Sequence, residues 1–316
     1  MAKSETTTLA LPLDLRPAKR KSAFMDVAGR LVREKPLGLF GAILVIMFFV
    51  MAAASPIIAP FGPNQLGAGP RLGDPTFDNL LGTDNLGRDI FSRVVYGSRV
   101  SITIGLVATM LGTLIALTIG VVSGYFGGWI DMLAQRLVDA FIAFPGLVFI
   151  IAVAAVFADS SIPGLPEDGV LQSTNVILAL VIGMLLGVGS SRIIRSAALT
   201  VKAQPFIEAS RATGATNSRL ILTHVLPNVL APAITLLTLG LGTAILLESS
   251  LSFLGLGVTP ETPTWGGMLN REARSFMTQN PWLAICPGAA LSLAIFGINM
   301  LGDALRDLLD PRLRKA

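Results

Sequence analysis

The residues of this chain that could do chemistry are few. There is one histidine, His224, and one cysteine, Cys286. A single histidine cannot build a His-x-x-x-His zinc site, and a lone cysteine cannot close an internal disulfide, so Cys286 reads as a small core residue. No Gly-x-x-x-x-Gly-Lys-Ser/Thr run is present to cradle phosphate, and no Gly-x-Ser-x-Gly turn presents a nucleophile. The polar residues gather instead in one island, Glu208-Ala209-Ser210-Arg211-Ala212-Thr213-Gly214, which runs on to Leu226-Pro227-Asn228. Pro205 suits the first turn of a helix with Gln204 as its cap. Glu208 falls in that turn and favours its positive end. Ala209, Ala212 and Ala215 supply helix propensity, and Gly214 ends or tightens the turn. A second amphipathic piece, Ser218 to His224, leads to Leu226-Pro227. The chemistry on offer is docking. Small residues let a partner's groove close over a short rod, and Glu208 and Arg211 are its polar anchors. A plain interfacial helix with no partner is equally compatible with these residue types.

The elements that hold the island are apolar. The chain has 316 residues, of which 52% are hydrophobic and 14% charged, against about 25% charged in a soluble domain; its mean hydropathy is +0.69. Six windows, 37–70, 100–130, 140–158, 169–191, 220–247 and 275–302, contain no Asp, Glu, Lys or Arg. Roughly 20 apolar residues cross a bilayer core of roughly 30 Å, and in lipid only a helix satisfies its own backbone at these lengths. The fold class expected is therefore an all-α integral membrane protein with six transmembrane helices, near 37–59, 99–124, 133–157, 174–193, 226–247 and 282–303. An even number of spans puts both termini on one side. The tails, the 124–136 turn and the 192–219 loop carry 18 of the 24 Lys and Arg residues, so the termini and the island are expected in the cytoplasm. That distribution accounts for the net charge of +4 without a nucleic-acid partner. Lys19-Arg20-Lys21 before an apolar run imitates a signal peptide, but the leading region is too long, and a retained span is expected.

The domain organisation follows. Residues 1–36 form a cytoplasmic tail, 37–303 the membrane domain and 304–316 a cytoplasmic C-terminal tail. In 22–34, Phe24, Val27, Ala28, Leu31 and Val32 recur at helical spacing, as in an amphipathic interfacial helix. Outer loops are expected at 60–98 and 248–281, and the cytoplasmic loop bearing the island at 194–225. Asp84, Asn85 and Asp89 lack the ligand order of a calcium loop and read as turn and cap residues. Gly120/Gly124, Gly124/Gly128 and Gly183/Gly187 are spaced for close helix approach. Pro145 is expected to kink the third span. The 248–281 segment is too apolar for a free loop and is expected to tuck back onto protein, with Trp265 and Trp282 at the water boundary. Asp139, Glu248 and Asp303 are expected at helix ends. No buried carboxylate series suggests a proton relay, so the energy for any transport must come from outside the chain.

The island resembles the "EAA" loop of permease subunits of binding-protein-dependent ABC importers: Glu-Ala-Ala, three residues, Gly, nine residues, Ile, one residue, Leu-Pro. Glu208-Ala209, Gly214 and Leu226-Pro227 match. Ser210 stands where the second Ala is usual, and His224 where Ile is usual. The His224-to-Asn228 variant is similar to the dipeptide, oligopeptide and nickel branch. So are Leu81 to Asp89 with Ser92-Arg93 and Gly97 to Ser101, Ser250 to Gly257 with Trp265-Gly266, and Asn299 to Asp307 closing at Asp310-Pro311-Arg312. The resemblance spans about residues 22–314, and the extra first span is that of the second, C-type permease.

The resemblance implies a type I ABC importer permease fold and a subunit of an importer of di- or oligopeptides in the bacterial cytoplasmic (inner) membrane. Its implied partners are a second homologous permease in a heterodimer, two ATP-binding subunits, an extracytoplasmic substrate-binding protein and the lipid bilayer. ATP and Mg belong to the ATPases, and this chain holds no cofactor or metal and is not an enzyme. Helix 205–217 is implied to be the coupling helix. Glu208, Ala209 and Gly214 are its contact residues, with Ser210, Arg211, Leu226 and Pro227 completing the ATPase-coupling set. Nickel, opines, glutathione and oligosaccharides are alternative cargoes. A self-contained carrier or channel would need ion-coupling groups in the spans, and an intramembrane enzyme a nucleophile–base pair deep among them.

Overall fold

The computed structural model describes residues 23–157, 162–166, 169–259 and 261–309. Expectations for the first tail up to residue 22 and for Asp310-Pro311-Arg312 lie outside the described residues. The described chain is helical: α1 (Ala23–Glu34), α2 (Pro36–Ala53), α3 (Ser55–Ile58), α4 (Ile90–Phe126), α5 (Gly128–Ile142), α6 (Gly146–Val156), α7 (Ser173–Lys202), α8 (Pro205–Ala212), α9 (Asn217–Leu220), a π turn (Ile221–Val225), α10 (Leu226–Phe253), α11 (Trp265–Phe276) and α12 (Trp282–Leu309). Five stretches are long and apolar enough to cross a membrane, and the pair α5–α6 makes a sixth if counted as one broken span. The third span is broken by 80° rather than gently kinked. Pro145 has no N–H to return to the Phe141 carbonyl, and its ψ of 118° turns the chain out of the helical region. α4, α7, α10 and α12 each run past one end of their apolar windows, whereas α2 stops at Ala53, short of the expected 59. α4 begins at Ile90 because Asp89 caps it, its carboxylate accepting from Ser92 N at 2.7 Å.

The bundle is organised around α4 and α7, which lie backbone against backbone. A Cβ added at Gly187 would sit 2.6 Å from the Gly112 carbonyl oxygen, and one at Gly120 2.6 Å from that of Ser191. Gly183 and Gly124 make the same approach. The Gly124/Gly128 spacing is not a packing pair. Gly128 has φ +57° with open space around it, and together with Gly127 (φ +67°) it turns α4 into α5. α2 packs along α12 in the same way, Gly41 against the Gly297 carbonyl and Gly297 against Leu44. α10 runs antiparallel to α12, with Gly242 beside Asn299 and Gly302 beside Leu239. This brings α1 and the end of α12, joined by Lys35 and Asp307 at 2.6 Å, to the end of the bundle where α7 enters α8. On α1, Arg30 donates twice to Glu34 at 3.1 Å and holds its carboxyl below the usual carboxylate range.

The far end is closed by the two long connections folding on each other. Asp84 accepts from Leu86 N and Arg88 N at 2.8 and 2.9 Å and from Arg88 Nε at 2.6 Å. Asn280 donates to the carbonyls of Gly73 and Thr83, both at 3.1 Å. Trp265 does not sit at a water boundary. It is fully buried, its Nε1 donating to the Val94 carbonyl at 3.1 Å and its ring edge-on to Phe48 at 5.5 Å, so its polar edge is satisfied inside. Glu248 is not at a helix end, because α10 continues to Phe253. Its side chain is fully buried and accepts from Ser252 Oγ at 2.8 Å and Ser249 Oγ at 3.3 Å, with the hydroxyls of Ser101 and Thr264 facing it from α4 and the start of α11. Removing this acceptor orphans the buried hydroxyls of Ser252 and Ser249. Glu248→Leu is expected to destabilise the protein by about 3 kcal/mol and Glu248→Gln by about 1 kcal/mol. Thermal unfolding of the purified complex measures both, and equal effects would contradict the assignment.

Candidate functional site

The island forms a platform across one end of the bundle. α7 ends at Lys202, and Gln204 turns the chain with an extended backbone (φ −80°, ψ 142°). Pro205 then takes the first helical position, where a missing N–H costs nothing. α8 is eight residues long and not the thirteen of 205–217. The reason lies in the backbone: Gly214 is left-handed at φ +87°, the Gly214 N–H bonds to the Arg211 carbonyl at 3.0 Å, and the Ala215 N–H bonds to the Ser210 carbonyl at 3.1 Å. These two nested bonds satisfy the Ser210 and Arg211 carbonyls and end the helix. Thr216 caps α9 by accepting from Arg219 N. The piece expected at Ser218 to His224 is therefore divided between α9 and the π turn, where Leu226 N reaches back to the Ile221 carbonyl. Pro227 cannot donate in the α-helical register, which accounts for the extra residue in this turn. Asn228 Nδ2 supplies a donor at 2.7 Å to the His224 carbonyl.

One side chain fixes α8 to the bundle. Ile207 is 1% exposed and packs in the cluster of Ala116, Val121, Ile194, Ala198, Leu220 and Val225. Tyr125, in the last turn of α4, donates to Asn217 Oδ1 at 2.8 Å, and Lys202 Nζ lies 5.8 Å from its ring centre. Ser210 and His224, the two positions that depart from the loop pattern, face each other with Oγ and Nε2 3.3 Å apart, and Phe206 meets the imidazole edge-on at 5.9 Å. No carboxylate among the described residues bonds the second ring nitrogen. The pair therefore lacks the third member that orients a catalytic base, and acts as a strut.

The predicted site residues divide into two sets. Glu208, Ala209, Arg211 and Gly214 are exposed, and neither Glu208 nor Arg211 forms an ion pair among the described residues. Ser210 is half-buried against His224, Leu226 packs on the cluster beneath, and Pro227 is exposed at the start of α10. Ile207, Tyr125 and Asn217 were not singled out by the sequence. Only Ile207 carried a signal, as one of the few bulky apolar side chains in an otherwise small and polar rod. The strut yields a modest prediction: His224→Ala is expected to cost about 1 kcal/mol and to raise amide hydrogen exchange in 205–212 while leaving the spans unchanged.

The described chain is thus a bundle of apolar helices of membrane-crossing length that carries one short helix with an exposed face, held to the bundle through Ile207. The chain belongs to the family "Binding-protein-dependent transport system inner membrane component", whose model matches residues 116–315. Among curated proteins it is 37% identical over 283 residues to the dipeptide transport system permease protein DppC of Alkalihalophilus pseudofirmus, covering 90% of this chain and 88% of that protein. It is 38% identical over 286 residues to the glutathione transport system permease protein GsiD of Escherichia coli O157:H7, covering 90% and 89%. The fold is similar to that of a chain of the MetNI methionine ABC transporter, solved in inward-facing conformations, with a TM-score of 0.53 and 20% identity over 70% of this chain and 98% of that one.

Proposed function

We propose that this chain is the permease subunit of an ATP-driven importer of di- or oligopeptides, forming half of the translocation path, and that α8 is where an ATP-binding subunit engages it. One observation carries the reading. α8 presents Glu208, Ala209 and Arg211 to the outside, with Gly214 exposed in the turn that follows, yet is anchored through Ile207 to the ends of α4, α7 and α10. A push on that surface therefore moves the spans together. Rigid-body rocking of packed helices around a path is a known transport solution.

In this reading a second permease completes the path, two ATPases bind ATP and Mg below, and an extracytoplasmic binding protein delivers the cargo. The α8 end is cytoplasmic, as the Lys and Arg distribution favours. A groove of about 180 Å³ between α4, α7 and α10, lined by Thr109, Gly112, Thr113, Ser190, Gly240 and Thr243 among others, is the half-path. Its lining holds no charged side chain, which suits a passage worked from outside better than an ion-coupled carrier. The dipeptide and glutathione permeases among the relatives favour peptides over nickel, opines or oligosaccharides. The test is uptake into liposomes holding both permeases and the ATPases, with binding protein added. ATP-dependent accumulation of a dipeptide is expected, and accumulation by this chain alone would overturn the reading.

A further inference from the structure

At the end of the bundle opposite α8, a cleft of about 510 Å³ opens between the first turns of α4, the connection before α7 and the connection between α10 and α11. Arg99 and Glu261 both line it, together with Tyr96, Asn64, Val170 and Leu171. Three charged groups near this end are engaged with one another: Arg88 with Asp84 at 2.6 Å, and Arg93 with Asp84 at 3.9 Å and with the Pro63 carbonyl at 3.1 Å. Arg99 and Glu261 are exposed, and neither forms an ion pair among the described residues. One cavity is therefore lined by an arginine and a glutamate, neither ion-paired among the described residues, together with apolar residues and one tyrosine. Its volume lies in the range of small-molecule sites, roughly 300–1,000 Å³.

We infer that this cleft is a reception site for a short zwitterionic peptide, with Arg99 taking the terminal carboxylate and Glu261 the terminal ammonium. A guanidinium binds a carboxylate through two parallel N–H···O bonds. The opposite charge in the same cavity sets the direction in which the peptide lies. Val170, Leu171 and Tyr96 supply uncharged lining, so recognition falls on the termini that all short peptides share. The inference rests on the peptide-importer reading for its place in transport, but the binding event can be measured without transport.

The experiment uses the full complex in nanodiscs, with Cys286→Ala to remove the native thiol and Leu171→Cys to place one in the cleft, where Leu171 is 57% exposed. Alkylation by a water-soluble maleimide is followed with dialanine present at millimolar concentration, and with its N-acetyl amide, which lacks both charges. Dialanine is expected to slow alkylation roughly ten-fold and the blocked form to leave it unchanged. Arg99→Gln and Glu261→Gln are each expected to abolish the protection. No protection, equal protection by both compounds, or protection that survives both substitutions would overturn the inference. Dialanine uptake by the same complex in liposomes is scored separately. Protection without uptake contradicts the importer reading alone, and uptake without protection contradicts the reception site alone. If the cleft instead seats the binding protein, Arg99→Gln lowers binding-protein-stimulated ATP hydrolysis while alkylation of the chain that keeps Arg99 is already indifferent to dialanine, which also overturns it.

Discussion

Glu208→Lys is expected to leave the permease inserted and folded while cutting ATP-driven uptake roughly a hundred-fold, because at the proposed ATPase contact reversing this charge costs about 2–5 kcal/mol. The side chain is exposed in the isolated chain and has no ion-pair partner among its described residues, so its loss removes nothing internal. Its place in the first turn of α8 sharpens the effect, since a lysine there meets the positive end of the helix. Gly214→Asp acts on the same surface by a second route. Gly214 holds φ +87° with open space around it, so the substitution strains the backbone by about 1 kcal/mol and adds a charge beside Arg211. Detergent solubility and monodispersity of the complex report folding, co-purification of the ATPase reports docking, and uptake reports coupling. Normal uptake by Glu208→Lys would remove α8 from the mechanism.

The second large effect concerns the α4–α7 seam. Gly187→Leu is expected to prevent accumulation of folded protein. Its Cβ alone would sit 2.6 Å from the Gly112 carbonyl oxygen and 2.7 Å from the Ile115 side chain, and neither a helix backbone nor a packed β-branched residue can retreat without separating the two central helices. Overpacking of this kind costs about 3 kcal/mol or more, a large part of a marginal folding free energy. Gly189 is the control, two residues along the same helix, exposed, with nothing within 4 Å of an added Cβ. Gly189→Ala is expected to be neutral or stabilising by about 0.5 kcal/mol, from helix propensity alone. Size-exclusion profiles of tagged chains distinguish the two. A monodisperse, active Gly187→Leu protein would contradict the close backbone approach.

Much of this architecture was legible because it depends on local signals. Charge-free windows located the spans, since lipid tolerates little else. Pro205 and Glu208 located the start of α8, and Pro145 located the break in the third span. What escaped depends on partners far away in sequence. Nothing near Glu248 announces that Ser101 and Thr264 enclose it, and nothing near Trp265 announces that the Val94 carbonyl receives its N–H and Phe48 its ring. The end of α8 was missed for another reason. Ala215 and Thr216 continue an acceptable helical composition, and only the nested bonds at Gly214 show that the chain has already turned. The facing of Ser210 and His224 was hidden likewise: each reads alone as a departure from a pattern, and the fold makes them one contact.

The most direct test of the coupling claim is a cross-link from the middle of α8. Ala209→Cys, in the chain with Cys286→Ala and assembled with the partners proposed above, is treated with a short bifunctional thiol reagent. A single adduct between this chain and an ATP-binding subunit is predicted, with Ala209→Cys shielded from membrane-impermeant reagents added outside. Labelling of Ala209→Cys from the outer face, with no such adduct, would contradict the account.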